Sequence, residues 1–313
     1  MTRLVFLDQN AWVALARGSW DKVDFPREHT ALTKIIEGVR SGSIIVPLTF
    51  ANIYETFKIN DPIRRATMAR AQVLISGGRV FRGRRRILGE TLAAHIADKL
   101  SIRRLAPEKH WFLSDLWFEA AADYSLDTYG SELSSQVLDV IRQNPAQALF
   151  DYLLFDDEEV RLEAIRRYSA DSAELTARIE TRRAFVAGET LAIRKRAYSA
   201  RLIIDELDFI LATGRQLDLK WHTVRDIGSS LARSIIAEVP ILNVERELVV
   251  RLEDQSRKID ENDLRDMASF TTVLPFADLV IAEKQFVNLA RQARLGEALK
   301  TTLLTSIFDF VSL

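Results

Sequence analysis

Acidic side chains follow two short apolar runs near opposite ends of the chain. Asp8 comes directly after residues 4–7 (LVFL), and Glu283 comes directly after residues 279–282 (LVIA). Continuous apolar runs of this length are typical of strands buried on both faces of a parallel sheet. Ligands collect beyond the carboxyl ends of such strands, so we expect both carboxylates at one edge of one sheet.

Two further carboxylates lie on helices that flank predicted strands. Glu55 is about two turns into a helix that follows residues 44–47, and Asp266 is on the helix that leads into residues 279–282. Converging carboxylates repel one another unless a cation is present. An oxygen-only ligand set suits Mg²⁺ or Mn²⁺, and such an ion can activate water for attack on a phosphodiester.

Asp263 and Asp278 are additional candidate metal ligands. Asp263 precedes Asp266 by three residues and so shares a helix face with it, whereas Asp278 opens the last of these strands. Each has a structural alternative. Asp263 can cap its own helix, and Asp278 can orient neighbouring backbone where the strand begins.

Four acidic segments resemble, in order, the four motifs of the PIN-like nucleases: Asp8-Gln9-Asn10 after a strand, Ile53-Tyr54-Glu55, Asp266-Met267-Ala268, and residues 279–286 with Glu283 as their acid. The resemblance covers roughly residues 1–90 and 255–313. At the fourth motif the family more usually has Asp where this chain has Glu283.

The resemblance implies an α/β fold in which both chain ends build one PIN-like parallel-sheet domain. It also implies that Asp8, Glu55, Asp266 and Glu283 hold Mg²⁺ or Mn²⁺ and cleave RNA. Family members often act as toxins or phage-defence effectors, which makes an inhibitor (antitoxin), another defence component or a second copy of the chain candidate partners.

The middle of the chain has a different character from its ends. Helical periodicity dominates from about residue 91 to residue 254, which predicts an all-helical insertion between the two parts of the domain, residues 1–90 and 255–313. No internal repeat is evident in this stretch.

The densest basic cluster is a candidate nucleic-acid contact. Single-stranded substrates favour arginine, which pairs with phosphate and stacks on bases. The alternative is a solvated loop whose charge protects a sheet edge from pairing. The cluster consists of Arg79, Arg82, Arg84, Arg85 and Arg86. Asn10 is a further candidate contact, which could instead hold Asp8 or a metal-bound water, or cap the first helix.

Composition narrows the possible chemistry. The net charge is −1, so nucleic-acid affinity must come from a local patch. The chain has no cysteine and four histidines, which excludes thiolate chemistry and leaves zinc without an evident ligand set. The first apolar run is too short for a signal peptide, and no run reaches the roughly 18 apolar residues of a membrane span. We therefore expect a soluble, cytoplasmic protein.

Two alternatives to a nuclease stay open at this stage. A catalytically inactive PIN-like scaffold would bind RNA or a protein partner through the same fold. A phosphatase on a doubly wound sheet would want a second aspartate two positions after Asp8, where this chain has Asn10.

Overall fold

The computed structural model describes residues 2–121, 134–155 and 157–312. The fold is mixed α/β, mostly helical around a small parallel sheet. The strands are β1 (Arg3–Leu7), β2 (Ile44–Ile45), β3 (Val80–Phe81), β4 (Leu113–Ser114), β5 (Leu279–Ile281) and β6 (Thr302–Leu304).

The helices up to the middle of the chain are α1 (Gln9–Trp20), α2 (Pro26–Arg40), α3 (Phe50–Phe57), α4 (Pro62–Ser76), α5 (Arg84–Lys99), a 3-10 turn (Trp117–Ala120), α6 (Ser135–Gln143), α7 (Pro145–Leu153) and α8 (Glu158–Phe185). Those that follow are α9 (Leu191–Asp205), α10 (Leu207–Gln216), α11 (Val224–Ile227), α12 (Ser229–Glu238), α13 (Pro240–Leu252), α14 (Glu261–Val273), α15 (Lys284–Gln292), α16 (Leu295–Leu299) and α17 (Ile307–Val311).

Both ends of the chain contribute to one sheet. Its order is β2-β1-β5-β6, and all neighbouring pairs are parallel. β1 pairs with β5 in the register Val5↔Leu279 and Leu7↔Ile281. The prediction that the two termini share a parallel sheet is therefore confirmed.

The short ribbon of β3 and β4 extends this sheet at the β2 side. β3 and β4 are antiparallel, and a parallel bridge joins Leu48, just after β2, to Val80. The carboxyl end of β3 consequently points to the same edge of the sheet as the carboxyl ends of β1 and β5.

Alternation along β1 sends side chains into two cores. Val5 and Leu7 pack in a core with residues of α1, α2 and α4, while Leu4 and Phe6 pack in a second core with residues of α5 and α13. That second core continues through α9, α10 and α12. Helices α9, α10, α12 and α13 of the stretch 91–254 thus share a core with the sheet.

The sequence predicted that the stretch 91–254 is all-helical, and the structure differs at one point. It also contains β4, which pairs with the edge strand β3. A strand of two residues is too short to show an alternating pattern in the sequence. Its position is decided by the edge strand β3, with which it pairs. Among the residues that the structure describes, no helix is long and apolar enough to cross a membrane.

Candidate active site

Asp8 is held at the junction of β1 and α1, beside the end of β5. Its backbone N–H donates to the Ile281 carbonyl at 2.9 Å. Its carboxylate caps α1 by accepting from the Ala11 N–H at 2.9 Å, and it also accepts from the backbone N–H of Glu283. The first and last predicted acids are therefore immediate neighbours, brought together by the β1–β5 pairing.

Glu283 is exposed and opens α15. The Asn10 side-chain amide donates a hydrogen bond to the Glu283 carboxylate. Asn10 therefore positions Glu283, the fourth acid of the set. It does not cap α1, because Asp8 provides that cap.

Glu55 is directed to the same edge by the start of α3. Thr49 and Asn52 form a reciprocal capping box there, and the Asn52 amide also approaches the Leu7 carbonyl at 3.4 Å. These bonds tie α3 to the end of β1, and Glu55 follows one helical turn later. Its carboxylate accepts a hydrogen bond from Arg265 at 3.2 Å.

Asp266 lies on α14 and interacts electrostatically with the other three acids. Desolvation is the main cause that raises its pKa to about 8, and repulsion from Glu283, Asp8 and Glu55 adds to it. Burial likewise raises the pKa of Asp8 to about 7, with Glu283 and Glu55 contributing, although the Ala11 N–H opposes the shift. Both values indicate a half-buried site with excess negative charge.

Arg265 offsets part of this charge. Burial raises the pKa of Glu55, but the adjacent guanidinium opposes that shift. Arg265 is itself 4% exposed, pairs with Glu261 as well as Glu55, and lies over the Tyr54 ring at 5.7 Å.

The chemistry of the donor set fits a hard divalent cation, because carboxylate oxygens in a negatively charged, poorly hydrated site are what Mg²⁺ and Mn²⁺ prefer. The side chains as placed do not form a closed coordination shell. Within the described ranges, no three His, Cys, Asp or Glu side chains are close enough to hold one ion. Glu55 is engaged by Arg265 and Glu283 by Asn10.

Asp263 and Asp278, the two additional candidates, have structural partners instead. Asp263 is buried; it pairs with Arg257 and also accepts from Gln285 and from the Asp260 N–H, so both oxygens are occupied. Asp278 accepts from the Leu4 N–H at 2.7 Å. It directly precedes β5, whereas Glu283 follows the end of that strand, so the strand separates the two carboxylates.

The arginine cluster divides between two surroundings. Arg84 and Arg85 turn to acids of the helical stretch: Arg84 pairs with Glu206 and Glu245 at 2.8 and 2.7 Å, and Arg85 pairs with Glu206 at 3.3 Å. Two half-buried or buried carboxylates engage Arg84, whereas Arg85 is 47% exposed; the nucleic-acid role of these two stays a prediction.

The other three arginines of the cluster line one cavity. Arg79 pairs with Asp115 at 3.3 Å and Arg82 with Glu119 at 3.1 Å. Arg86 is exposed at the same cavity. These three are placed where a ligand could reach them.

Three residues of the site were not singled out from the sequence. Asn52 had a usable signal, because it is three positions after the predicted cap Thr49. Gln9, next to Asp8, donates to the Thr56 hydroxyl of α3 at 3.2 Å. Arg265 offers no local signal, since its role depends on the distant Glu55.

Comparison with protein-family models, with curated proteins and with solved structures finds no match to this chain.

Proposed function

We propose that this protein is a divalent-cation-dependent endoribonuclease with a PIN-like domain formed by residues 1–90 and 255–313. The observation that supports the proposal most directly is the meeting of acids from both chain ends at the carboxyl edge of a parallel sheet. The Asp8 carboxylate there accepts from the Glu283 N–H, and Asp266 and Glu55 lie within electrostatic range.

Asp8 and Asp266 are the residues best suited to hold Mg²⁺ or Mn²⁺, because both are destabilised as anions by burial and mutual repulsion. Glu55 and Glu283 would complete the site after release from Arg265 and Asn10. The bound ion would supply water activation and charge neutralisation at the scissile phosphate. Until an ion binds, Asn10 and Arg265 would hold these two glutamates at the edge of the site.

The resemblance extends this proposal to a toxin or phage-defence effector. An inhibitor, a defence partner or a second copy of the chain would then bind outside the acid cluster.

The test is cleavage of a labelled mixed-sequence RNA in Mn²⁺, in Mg²⁺ and in EDTA. Asp8→Asn keeps the α1 cap, because asparagine caps as well as aspartate, but it removes one negative ligand. We expect cleavage in the metals only, with at least about a 100-fold loss in this variant, since outer-shell changes alone typically cost 10–100-fold.

The matched control is Asp24→Asn, which removes the charge of an exposed aspartate in the turn before α2. It should cleave like the parent protein. Cleavage that persists in EDTA, or that survives in Asp8→Asn, would contradict the proposal.

A catalytically inactive scaffold is the second candidate. It is favoured by the ion pair of Arg265 with Glu55, because the guanidinium group already neutralises part of the negative charge of the acid cluster. Calorimetry separates the two functions. An absence of Mn²⁺ binding, together with an absence of cleavage in either metal, would favour the scaffold.

A further inference from the structure

A charged cavity, distinct from the acid cluster, lies beside the ribbon of β3 and β4. It has a volume of about 550 Å³, within the range of small-ligand pockets. Its charged lining combines Arg79, Arg82 and Arg86 from the segment around β3 with Arg142 from α6. His110, just before β4, completes the polar wall.

Positive charge predominates in this cavity. Of the residues that line it, four are arginines and two are acids, Asp115 and Glu119. The acids pair with Arg79 and Arg82, which holds those guanidinium groups in place. Arg86 and Arg142 are exposed, and Arg142 is tied only loosely, at 3.4 Å, to the exposed Asp139.

Buried pairing makes part of this site rigid. The Glu119 side chain is 6% exposed and pairs with Arg82, whose Nε also donates to the Leu113 carbonyl at 3.1 Å. Arg82 therefore presents a fixed guanidinium edge. Fixed arginine groups match the oxygens of phosphate, and little side-chain entropy is lost on binding.

One end of the cavity, where Arg82 lies, is at the edge of the sheet that carries the acid cluster, whereas Arg79 precedes β3. Arg82 follows β3 as Asp8 follows β1, and the segment after β2 lies between those strands. Two strand spacings place the backbones of β1 and β3 about 10 Å apart. A strand of nucleic acid bound at Asp8 could reach this cavity within a few nucleotides.

We infer that the arginine cavity is a phosphate-binding subsite for the RNA strand, separate from the acid cluster where cleavage is proposed. The inference rests on the proposed function for the identity of the strand. Its chemistry is general for a phosphate group, which is either an internal diester or a terminal monoester.

The test is binding in EDTA, where no metal-dependent cleavage occurs. The probe is a fluorescent 12-nucleotide single-stranded RNA, with a 5′-hydroxyl or a 5′-phosphate, titrated at several salt concentrations. The variant is the double substitution Arg86→Gln with Arg142→Gln. Both side chains are exposed, so the fold should survive, and circular dichroism verifies it.

We expect the double variant to bind at least about tenfold more weakly at low salt. The slope of log affinity against log salt should fall by about 0.7, because each neutralised phosphate of a single strand contributes about 0.7. A loss confined to the 5′-phosphorylated probe assigns the cavity to a terminal phosphate. An equal loss for both probes assigns it to an internal one.

Arg64→Gln is the matched control, since it removes an arginine whose side chain is 83% exposed on α4 and should leave affinity and slope unchanged. Two results would overturn the inference: parent-like binding of both probes by the double variant, or binding of poly-glutamate but not RNA by the parent. If RNA binds as expected and no metal cleaves it, the proposed function fails while the subsite stands.

Discussion

The acid cluster is costly to the fold when no cation is bound. Asp8 and Asp266 are half-buried, and their pKa values are raised to about 7 and about 8. A carboxyl group whose pKa is higher in the folded state binds protons more tightly there than in the unfolded chain. It therefore lowers stability as the pH rises through the folded value.

The first prediction is that Asp266→Asn stabilises the metal-free protein at alkaline pH. Asparagine cannot ionise, so its advantage over wild type should grow between about pH 4 and pH 8 and then level off. We expect a gain of up to about 6 kcal/mol at pH 9, since a pKa raised from 3.8 to about 8 corresponds to about 1.4 kcal/mol for each pH unit between them; urea unfolding in EDTA measures it.

The control for that prediction is Glu297→Gln, which removes an exposed charge from α16 and should leave the pH profile unchanged. Mn²⁺ should stabilise wild type more than Asp266→Asn, because binding to the folded state adds to stability. A variant that is no more stable than wild type at pH 9 would contradict the electrostatic account of this site.

At the scale of elements, the end of α4 sets the entry to β3. Gly77 ends the helix in the left-handed region with φ 65°, and Gly78 follows with φ 80°. They differ in surroundings. A Cβ at Gly77 would meet nothing within 4 Å, whereas one at Gly78 would lie 2.4 Å from the Pro145 backbone. Gly78 thus lets α7 approach this turn.

The second prediction compares Gly78→Ala with Gly77→Ala. Both substitutions incur the penalty of a left-handed residue, about 1 kcal/mol. Gly78→Ala must also displace the start of α7, which we expect to raise its total cost to about 3 kcal/mol or more. Thermal unfolding measures both, and equal losses would show that α7 yields without cost.

The long helix α8 brings the middle of the chain to the candidate site. Arg161 has no exposed surface and donates to the Phe57 carbonyl at 2.8 Å and to Asn60 at 3.1 Å. Two turns further along the same face of α8, the Tyr168 ring lies 4.1 Å from that of Tyr54, which precedes Glu55. α8 therefore packs against α3, the helix that carries Glu55.

At the scale of the whole molecule, buried ion pairs join the helical stretch to the sheet-bearing part. Arg84 opens α5 and bridges Glu206 and Glu245, and these carboxylates raise its pKa despite its burial. Glu245 also accepts from the Tyr198 hydroxyl at 3.0 Å. The network lies at the edge of the core that β1 shares with α9 and α13.

The third prediction contrasts Arg84→Met with Arg85→Met. Loss of Arg84 leaves two poorly hydrated carboxylates without their shared partner, which should cost about 3–5 kcal/mol. Arg85 is 47% exposed, pairs with Glu206 and lies over the Phe209 ring at 3.9 Å, so its loss should cost about 1 kcal/mol. Chemical denaturation should show one transition, because the two parts share a core. Two separate transitions would indicate independent folding.

Much of the sheet and its acidic edge followed from local pattern. Residues 4–7 and 279–282 are continuous apolar runs, which are stable as strands buried on both faces of a parallel sheet. They form the two central strands, and the acids that follow them therefore lie at one edge of the sheet. The glycines after α4 and the cap at Thr49 were equally local. Such features depend on the residue and its neighbours in the chain.

Tertiary structure decided which charges remain available. Asp263 and Asp266 look alike on a helix, yet Arg257 engages the first. Arg84 and Arg86 are two residues apart, yet Arg84 pairs with Glu206 and Glu245 while Arg86 is exposed. The packing of remote segments decides which charges become ionic partners. Burial lowers the effective dielectric constant, so small changes in the distance between two charges then change their interaction energy strongly. The order of residues along the chain carries no direct record of that packing.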